Sequence, residues 1–210
     1  MSALVHVVDD DDAMRRSIVF LAESVGWRAC AHDSAASFLA HPHNGEPGCA
    51  ILDIRMPSMS GLELQREMGV RGITLPIIFV TGHADVALAV EAMKAGAVDF
   101  LEKPFHDQQL LDAVARAVRA SVAAHATQDR RDALAGLLAG LTPRERDVAA
   151  LVARGHANKL IARALGISEK TVHIHRARVM EKTATHSAAE LARLMMQVDP
   201  SFGTGDCQPL

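Results

Sequence analysis

Five short apolar runs, each followed by a helix-patterned stretch, fill the first 125 residues and constrain the fold more than any other feature. The runs are Leu4–Val8, Trp27–Ala31 (the least apolar), Cys49–Leu52, Ile77–Val80 and Val98–Leu101. Near-continuous apolar strands of this kind suit a sheet buried on both faces. Between and after them lie helical stretches at Ala13–Val25, Ser34–Ala40, Gly61–Met68, Asp85–Ala95 and Asp107–Ala124. Ser60 with Glu63 fits a capping box, Asp107 fits an N-cap, and Asp11 or Asp12 fits the cap of the first helix. Five β/α units in order predict an α/β, doubly wound, five-stranded parallel sheet with right-handed crossovers. Its ligand crevice belongs beyond the C-terminal ends of the strands.

The rest of the chain has no strand-like run. Thr142-Pro143-Arg144-Glu145 combines an N-cap, a proline at the first helical position and a glutamate at the third. Asn158 is expected to cap Lys159–Leu165, which Gly166 stops. Ser168 opens a helix through about Lys182, and Ser187 with Glu190 makes a capping box for Leu191–Val198. The expectation is an all-α bundle of four short helices. The polar stretch Gln128–Asp132 reads as a linker, and the tail after Asp199 is expected to fray. The predicted boundaries are a first domain over 1–122, a linker over 123–137, a helical domain over 138–202 and a tail over 203–210.

Composition narrows the function classes. With 49% apolar and 22% charged residues, the chain is expected to bury real cores rather than stay disordered. The longest stretch without Asp, Glu, Lys or Arg, Gly72–Ala84, is 13 residues, too short to span a bilayer. The start, MSALVHVVDD, shows no basic region of a signal peptide. Three cysteines, Cys30, Cys49 and Cys207, are odd in number and lack zinc-site spacing. A cytoplasmic protein with no membrane partner is the expectation. The net charge of −3 conceals an asymmetry: residues 1–125 carry 10 basic against 16 acidic side chains, and residues 126–210 carry 12 against 9. An acidic domain joined to a basic one hints at nucleic acid as the partner of the second.

Asp9 and Asp10 close the first strand and Asp53 the third, so the sheet gathers three carboxylates at its crevice. Such carboxylates repel one another unless a cation or raised pKa values relieve them. Hard oxygen donors on rigid strand ends suit Mg²⁺. Thr81 and Lys103 end the next two strands. A hydroxyl, an ammonium, a metal ion and a carboxylate around one point match the needs of phosphoryl transfer to a carboxylate. A single Asp at a strand end is more often a cap, and a single Lys there a surface residue. The joint placement on four strand ends argues for the site.

The segments HVVDDDD, ILDIRMPSMSG, FVTGHAD, AMKAGAVDFLEKPF and LTPRERDVAALVARGHANKLIARALGISEKTVHIHRARVMEK together resemble the FixJ-type response regulators of two-component signalling, with a CheY-like receiver and a LuxR-type helix-turn-helix. The resemblance runs from about Leu4 to Gln197. It implies Asp53 as the acceptor of a phosphoryl group from a sensor histidine kinase. It also implies Mg²⁺ (or Mn²⁺) held by Asp10, Asp53 and the backbone carbonyl of Arg55, with Asp9 acting mainly through water. Thr81 would hydrogen-bond a phosphoryl oxygen and Lys103 would pair with it. Lys103-Pro104 matches the family's cis bond, and Phe100 its switch aromatic, moving with Thr81. Without the resemblance, Phe100 reads as plain core. Phosphorylation would then drive a homodimer, with Val90 and Lys94 as candidate contacts. RNA polymerase is a further expected partner.

Asn158–Leu165, the Gly166-Ile167 turn and Ser168–Lys182 form helix, turn and helix. The second helix is expected in the major groove of double-stranded promoter DNA. Val172, Val179 and Met180 point to the bundle on its wheel. Lys170, His173, Ile174, Ala177 and Arg178 share another face by the i, i+3 and i+4 spacing. His173, Ile174 and Lys170 are assigned to base edges; Thr171, His175 and Arg178 to phosphates. Arg176 lies between the faces, its stem available to cover the core. His173 and His175, two apart, share no face for a chelate. His32, His41 and His43 read as solvated loop or helix-end residues. A phosphatase using Asp53 would need a second Asp two residues on, where Arg55 stands. A receiver that has lost phosphorylation, leaving a constitutive DNA-binding or adaptor protein, is disfavoured by the intact acidic set.

Overall fold

A computed structural model of the chain describes residues 3–43, 45–82 and 86–203. They divide into two compact units, residues 1–125 and 126–210. In the first, strands β1 (Leu4–Val8), β2 (Arg28–His32), β3 (Gly48–Asp53), β4 (Ile77–Thr81) and β5 (Asp99–Glu102) alternate with helices α1 (Asp12–Ser24), α2 (Ala35–Ala40), α3 (Gly61–Val70) and α4 (Val86–Lys94). Helix α5 (Asp107–Ala139) follows. All strand pairs are parallel and the order is β2-β1-β3-β4-β5. The order reverses between β1 and β3, which is where a doubly wound sheet opens its crevice.

Alternation along each strand builds two apolar layers. Val5, Val7, Cys49, Ile51, Ile78 and Val80 face α1 and α5. Val8, Ala50, Leu52 and Phe79 face α2, α3 and α4. Both layers are almost fully buried, so the strands read as continuous apolar runs. Asp11 caps α1, accepting from the Ala13 and Met14 N–H groups at 2.9 and 3.3 Å. The Ser60–Glu63 capping box forms in both directions.

The second unit packs α6 (Pro143–Ala153), α7 (Asn158–Leu165), α8 (Glu169–Thr183) and α9 (Ala188–Val198), then a 3₁₀ turn over Pro200–Gly203. Leu141, Val148, Val152, Ile161, Val172, Val179 and Leu191 form its core. The Thr142–Glu145 box forms as predicted. At Ser187 the hydroxyl caps Glu190, but the Glu190 carboxylate accepts from the His186 N–H instead of closing the box.

Five further expectations are corrected. Asn158 is the first residue of α7, not its cap; Ala157 stands there without a side-chain hydrogen bond. The Asn158 side chain is engaged instead with Arg176, accepting from it at 3.2 Å. Asp107 likewise is the first helical residue of α5, and the carbonyl of His106 receives the Gln109 N–H at 2.9 Å. The predicted linker over 123–137 is helical throughout. Polarity does not break a helix when neighbours one turn apart pair, as Gln128 Nε2 does with Asp132 at 2.9 Å. His32, His41 and His43 are not solvated: His32 is buried and the other two half-buried, gathered around His6 and Phe38. The fraying predicted after Asp199 gives way to the 3₁₀ turn, and residues 204–210 lie outside the described residues. So does Asp85, at the predicted start of α4.

Candidate functional site: an acidic crevice and an exposed recognition helix

The register sets Val8 beside Leu52 and Asp53 beside Val80. The chain therefore leaves β1 and β3 side by side, placing Asp9 next to Asp53. Carboxylate oxygens of Asp9, Asp10 and Asp53 lie within 4.8 Å of one another, Asp10 exposed and the other two buried. Lys103 Nζ, just past β5, bridges the pair at 2.7 Å from Asp9 Oδ2 and 2.8 Å from Asp53 Oδ2. The Lys103–Pro104 peptide is cis, as the resemblance implied.

Backbone donors fix the carboxylates. The Asp11 N–H reaches Asp9 Oδ1 at 2.8 Å and the Arg55 N–H reaches Asp53 Oδ1 at 3.1 Å. Arg15, which sequence reasoning did not single out, donates to the Asp9 carbonyl at 2.7 Å. Thr81 is fully buried at the end of β4, and its carbonyl receives the Lys103 N–H at 2.8 Å. Gly61 starts α3 against this site. A Cβ there would come within 2.4 Å of the Asp53 carbonyl and 3.1 Å of the Phe79 ring, so only glycine permits the approach.

Burial pushes the Asp9 carboxyl's pKa up, against the Lys103 and Asp11 hydrogen bonds. Burial also works to lower that of the Lys103 ammonium, but its bonds to Asp53 and Asp9 prevail and the net shift is upward. The carboxylates around the ammonium explain the Lys103 shift, and withdrawal from water explains that of Asp9. Three hard oxygen donors with one open side fit an ion such as Mg²⁺. Phe100 is half-buried, beside Phe79 in the register and packed on the α2–α4 layer. Helix α4 turns Val86, Val90, Met93 and Lys94 outward as an apolar patch with a basic end.

In the second unit, Ser168 caps α8 and Gly166 ends α7 with φ +64°, the left-handed turn that joins the two helices. Val172 and Val179 are fully buried and Met180 packs on the same core. Lys170, His173, Ile174, Ala177 and Arg178 are exposed, as the wheel predicted. Thr171 is half-buried with its hydroxyl 2.8 Å from the Ser168 hydroxyl. His175 is also half-buried, its Nδ1 enclosed without a hydrogen-bond partner, and so sits apart from that exposed face. Arg176 is half-buried, as its expected place between the two faces requires.

Residues 5–115 match the response regulator receiver domain, and residues 139–195 match the bacterial regulatory proteins of the luxR family. The chain is 47% identical to the transcriptional regulatory protein FixJ of Azorhizobium caulinodans, over 91% of each chain. It belongs to the FixJ-type response regulators. Identity to the response regulator protein TodT of Pseudomonas putida is 38%, over 96% of this chain and 88% of TodT. Among solved structures, the response regulator StyR superposes with a TM-score of 0.85 at 41% identity, over 94% of this chain and all of StyR. Full-length FixJ from B. japonicum gives 0.57 at 41% identity, covering 98% of this chain and all of FixJ. The chain is thus a two-component response regulator and transcription factor. Its receiver implies a kinase partner and its LuxR-type domain implies DNA. Among the described residues, no helix is long and apolar enough to cross a membrane.

Proposed function

We propose that Asp53 accepts a phosphoryl group from the phosphohistidine of a sensor kinase. The observation that carries this reading is the Asp53 carboxylate at the end of β3, held between Lys103 Nζ at 2.8 Å and the Arg55 N–H at 3.1 Å, beside Asp9 and Asp10. Arg55 holds Asp53 Oδ1 in place and leaves the carboxylate open toward the crevice. An Asp53 oxygen attacks phosphorus, the P–N bond breaks, and the kinase histidine leaves neutral. Lys103 then pairs with the phosphoryl oxygens and the Thr81 hydroxyl hydrogen-bonds one of them. Asp10, Asp53 and the Arg55 carbonyl would hold Mg²⁺ (or Mn²⁺), with Asp9 acting through water; the ion supplies neutralisation of the transferring charge. The protein's own catalysis is limited to its phosphorylation and dephosphorylation.

Thr81 and Phe100 form the switch. Inward movement of Thr81 opens room behind it for the Phe100 ring, a two-state element biased by phosphate. The outward patch on α4, including Val90 and Lys94, then pairs two copies. Lys170, His173 and Ile174 of α8 contact base edges, and Arg178 and the Thr171 hydroxyl reach phosphates. Exposed Ile174 suits a thymine methyl. His175 belongs to this set only if its ring turns outward. The dimer would bind promoter DNA in the cytoplasm and contact RNA polymerase.

The test is labelling by a small phosphodonor with Mg²⁺, followed by sedimentation and binding to DNA selected from a random pool. Wild type becomes labelled and dimeric and binds DNA more tightly. Asp53→Asn does none of these. A labelled protein that stays monomeric with unchanged DNA affinity would overturn the switch.

A further inference from the structure

Phosphotransfer leaves unused a group of four histidines and a cysteine at the other side of the receiver sheet. His6 sits in the middle of β1, in an otherwise apolar run, and is 3% exposed. The register sets it directly beside Cys30 on β2, and the strand period of two brings His32 to the same face. Helix α2 and the segment after it close over this face with Phe38, His41 and His43. The His6 ring centroid lies 5.3 Å from those of His32 and His41 and 5.4 Å from that of His43. Donor atoms of His6, Cys30 and His41 all lie within 4.8 Å of one another.

Aromatic packing alone would be the bland account of so many rings, and the polar atoms argue past it. His6 Nδ1 and His32 Nε2 are paired at 3.0 Å, which leaves His6 Nε2 as the free ligand nitrogen. The His43 Nε2 lies 3.2 Å from the Phe38 carbonyl, while its Nδ1 is buried without a partner. That nitrogen stands beside the cluster with its hydrogen-bonding capacity unused. Cys30, His41 and His43 also line a cleft of about 590 Å³, which gives an ion a way in.

We propose that His6, Cys30 and His41 form a binding site for a borderline transition-metal ion of the Zn²⁺ class, its fourth position left to water or His43. Zn–N and Zn–S bonds of about 2.0–2.1 and 2.3 Å place tetrahedral donors roughly 3.3–3.7 Å apart. The observed spacing needs only a modest closure, which the half-buried His41 can supply by turning its ring. Metal on His6 Nε2 keeps the proton on Nδ1, which donates to His32 Nε2. Such an outer partner orients a ligating imidazole. Burial holds the pKa of His6 down to about 3, so the ring is neutral. The Cys30 thiol is pushed up by burial, and coordination would send its proton to solvent. Imidazole and thiolate donors disfavour Mg²⁺, whose oxygen donors stand at Asp9, Asp10 and Asp53. The bound ion would clip the edge strand β2 and the segment after α2 to β1.

Untagged full-length protein, stripped with chelator and kept in excess Mg²⁺, is titrated with Co²⁺ and then Zn²⁺. Wild type should bind one Co²⁺ with a thiolate-to-cobalt charge-transfer band and the strong visible bands of a tetrahedral site, both erased by Zn²⁺. Cys30→Ser should lose the charge-transfer band. His41→Asn should bind about tenfold or more weakly, and His32→Asn about 10- to 100-fold more weakly. Cys30 and His41 are only half-buried, so their variants keep the fold, checked by circular dichroism. Zn²⁺ should raise the wild-type Tm and leave that of the Cys30→Ser/His41→Asn double variant unmoved. A titration with no charge-transfer band, or equal Co²⁺ affinity in wild type, Cys30→Ser and His41→Asn, overturns the site.

Discussion

The two units bury polar groups for opposite ends. In the receiver the buried polar residues include Asp9, Asp53 and Thr81, set at the strand ends that line the crevice. In the helical unit the buried polar groups include Glu145, Thr183 and Thr185, which satisfy close neighbours: Thr183 Oγ1 donates to the Val179 carbonyl at 2.7 Å and lies 2.9 Å from Thr185 Oγ1. The chemistry differs accordingly. Phosphoryl transfer gains from charges withheld from water, because interactions strengthen as the local dielectric falls. Reading DNA needs side chains that reach outward, and Lys170, His173, Ile174 and Arg178 are exposed.

If each unit owns its core, a deletion in one should leave the unfolding transition of the other in place. The receiver should lose about 3–5 kcal/mol on Phe79→Ala, which truncates a ring fully buried on β4 against the α2–α4 layer. Leu191, fully buried in α9, should lose about 2–5 kcal/mol on Leu191→Ala. Scanning calorimetry of both variants reads the two transitions. A shift of both transitions by either variant would break the comparison.

Much of this contrast was written in the chain, for physical reasons. Strand runs such as Leu4–Val8 and Ile77–Val80 sit where alternation and burial on both faces demand them, and Asp9, Asp53, Thr81 and Lys103 follow from strand ends alone. Local pattern failed where a neighbour distant in sequence decides. Asn158 gave up its capping role to Arg176, 18 residues away. His6, Cys30 and His41 meet only because β1 and β2 lie side by side, so a search for closely spaced ligands passes over them. The one local signal was His6 itself, a polar residue in the middle of an apolar strand. His175 shows the limit of a helical wheel, which gives direction but not how far the packing extends around the helix.

Changes to polar groups sharpen the comparison. Lys103→Met removes two short charge-assisted bonds and leaves Asp9 and Asp53 side by side. It should cost the receiver about 1.5–3 kcal/mol per lost bond in chelator, less in Mg²⁺, and leave the helical unit untouched. Denaturant titrations with and without Mg²⁺ measure this. Thr142→Ala should cost the helical unit about 1 kcal/mol through its lost cap, with Ser60→Ala costing the receiver a similar amount.

The smallest effect concerns Glu145, where the helical unit most resembles the receiver: a buried carboxylate held by a lysine. Lys182 Nζ lies 2.7 Å from Glu145 Oε2, and the Thr142 N–H donates to the same oxygen at 2.9 Å. The Lys182 hydrogen bond first, then that of Thr142, holds the Glu145 pKa down to about 2, from 4.5 unfolded. A depressed carboxylate pKa adds stability above the unfolded value and loses it as pH falls toward the folded one. The contribution should therefore be whole above pH 4.5 and fade between 4.5 and about 2. Because Lys182 is 38% exposed, solvent screens the pair and its contribution is small. Lys182→Met should flatten that part of the pH–stability curve and lower stability at pH 7 by the same small amount. A large loss at neutral pH would mean that this pair, like the one at Asp53, sits in an environment far drier than its exposure indicates.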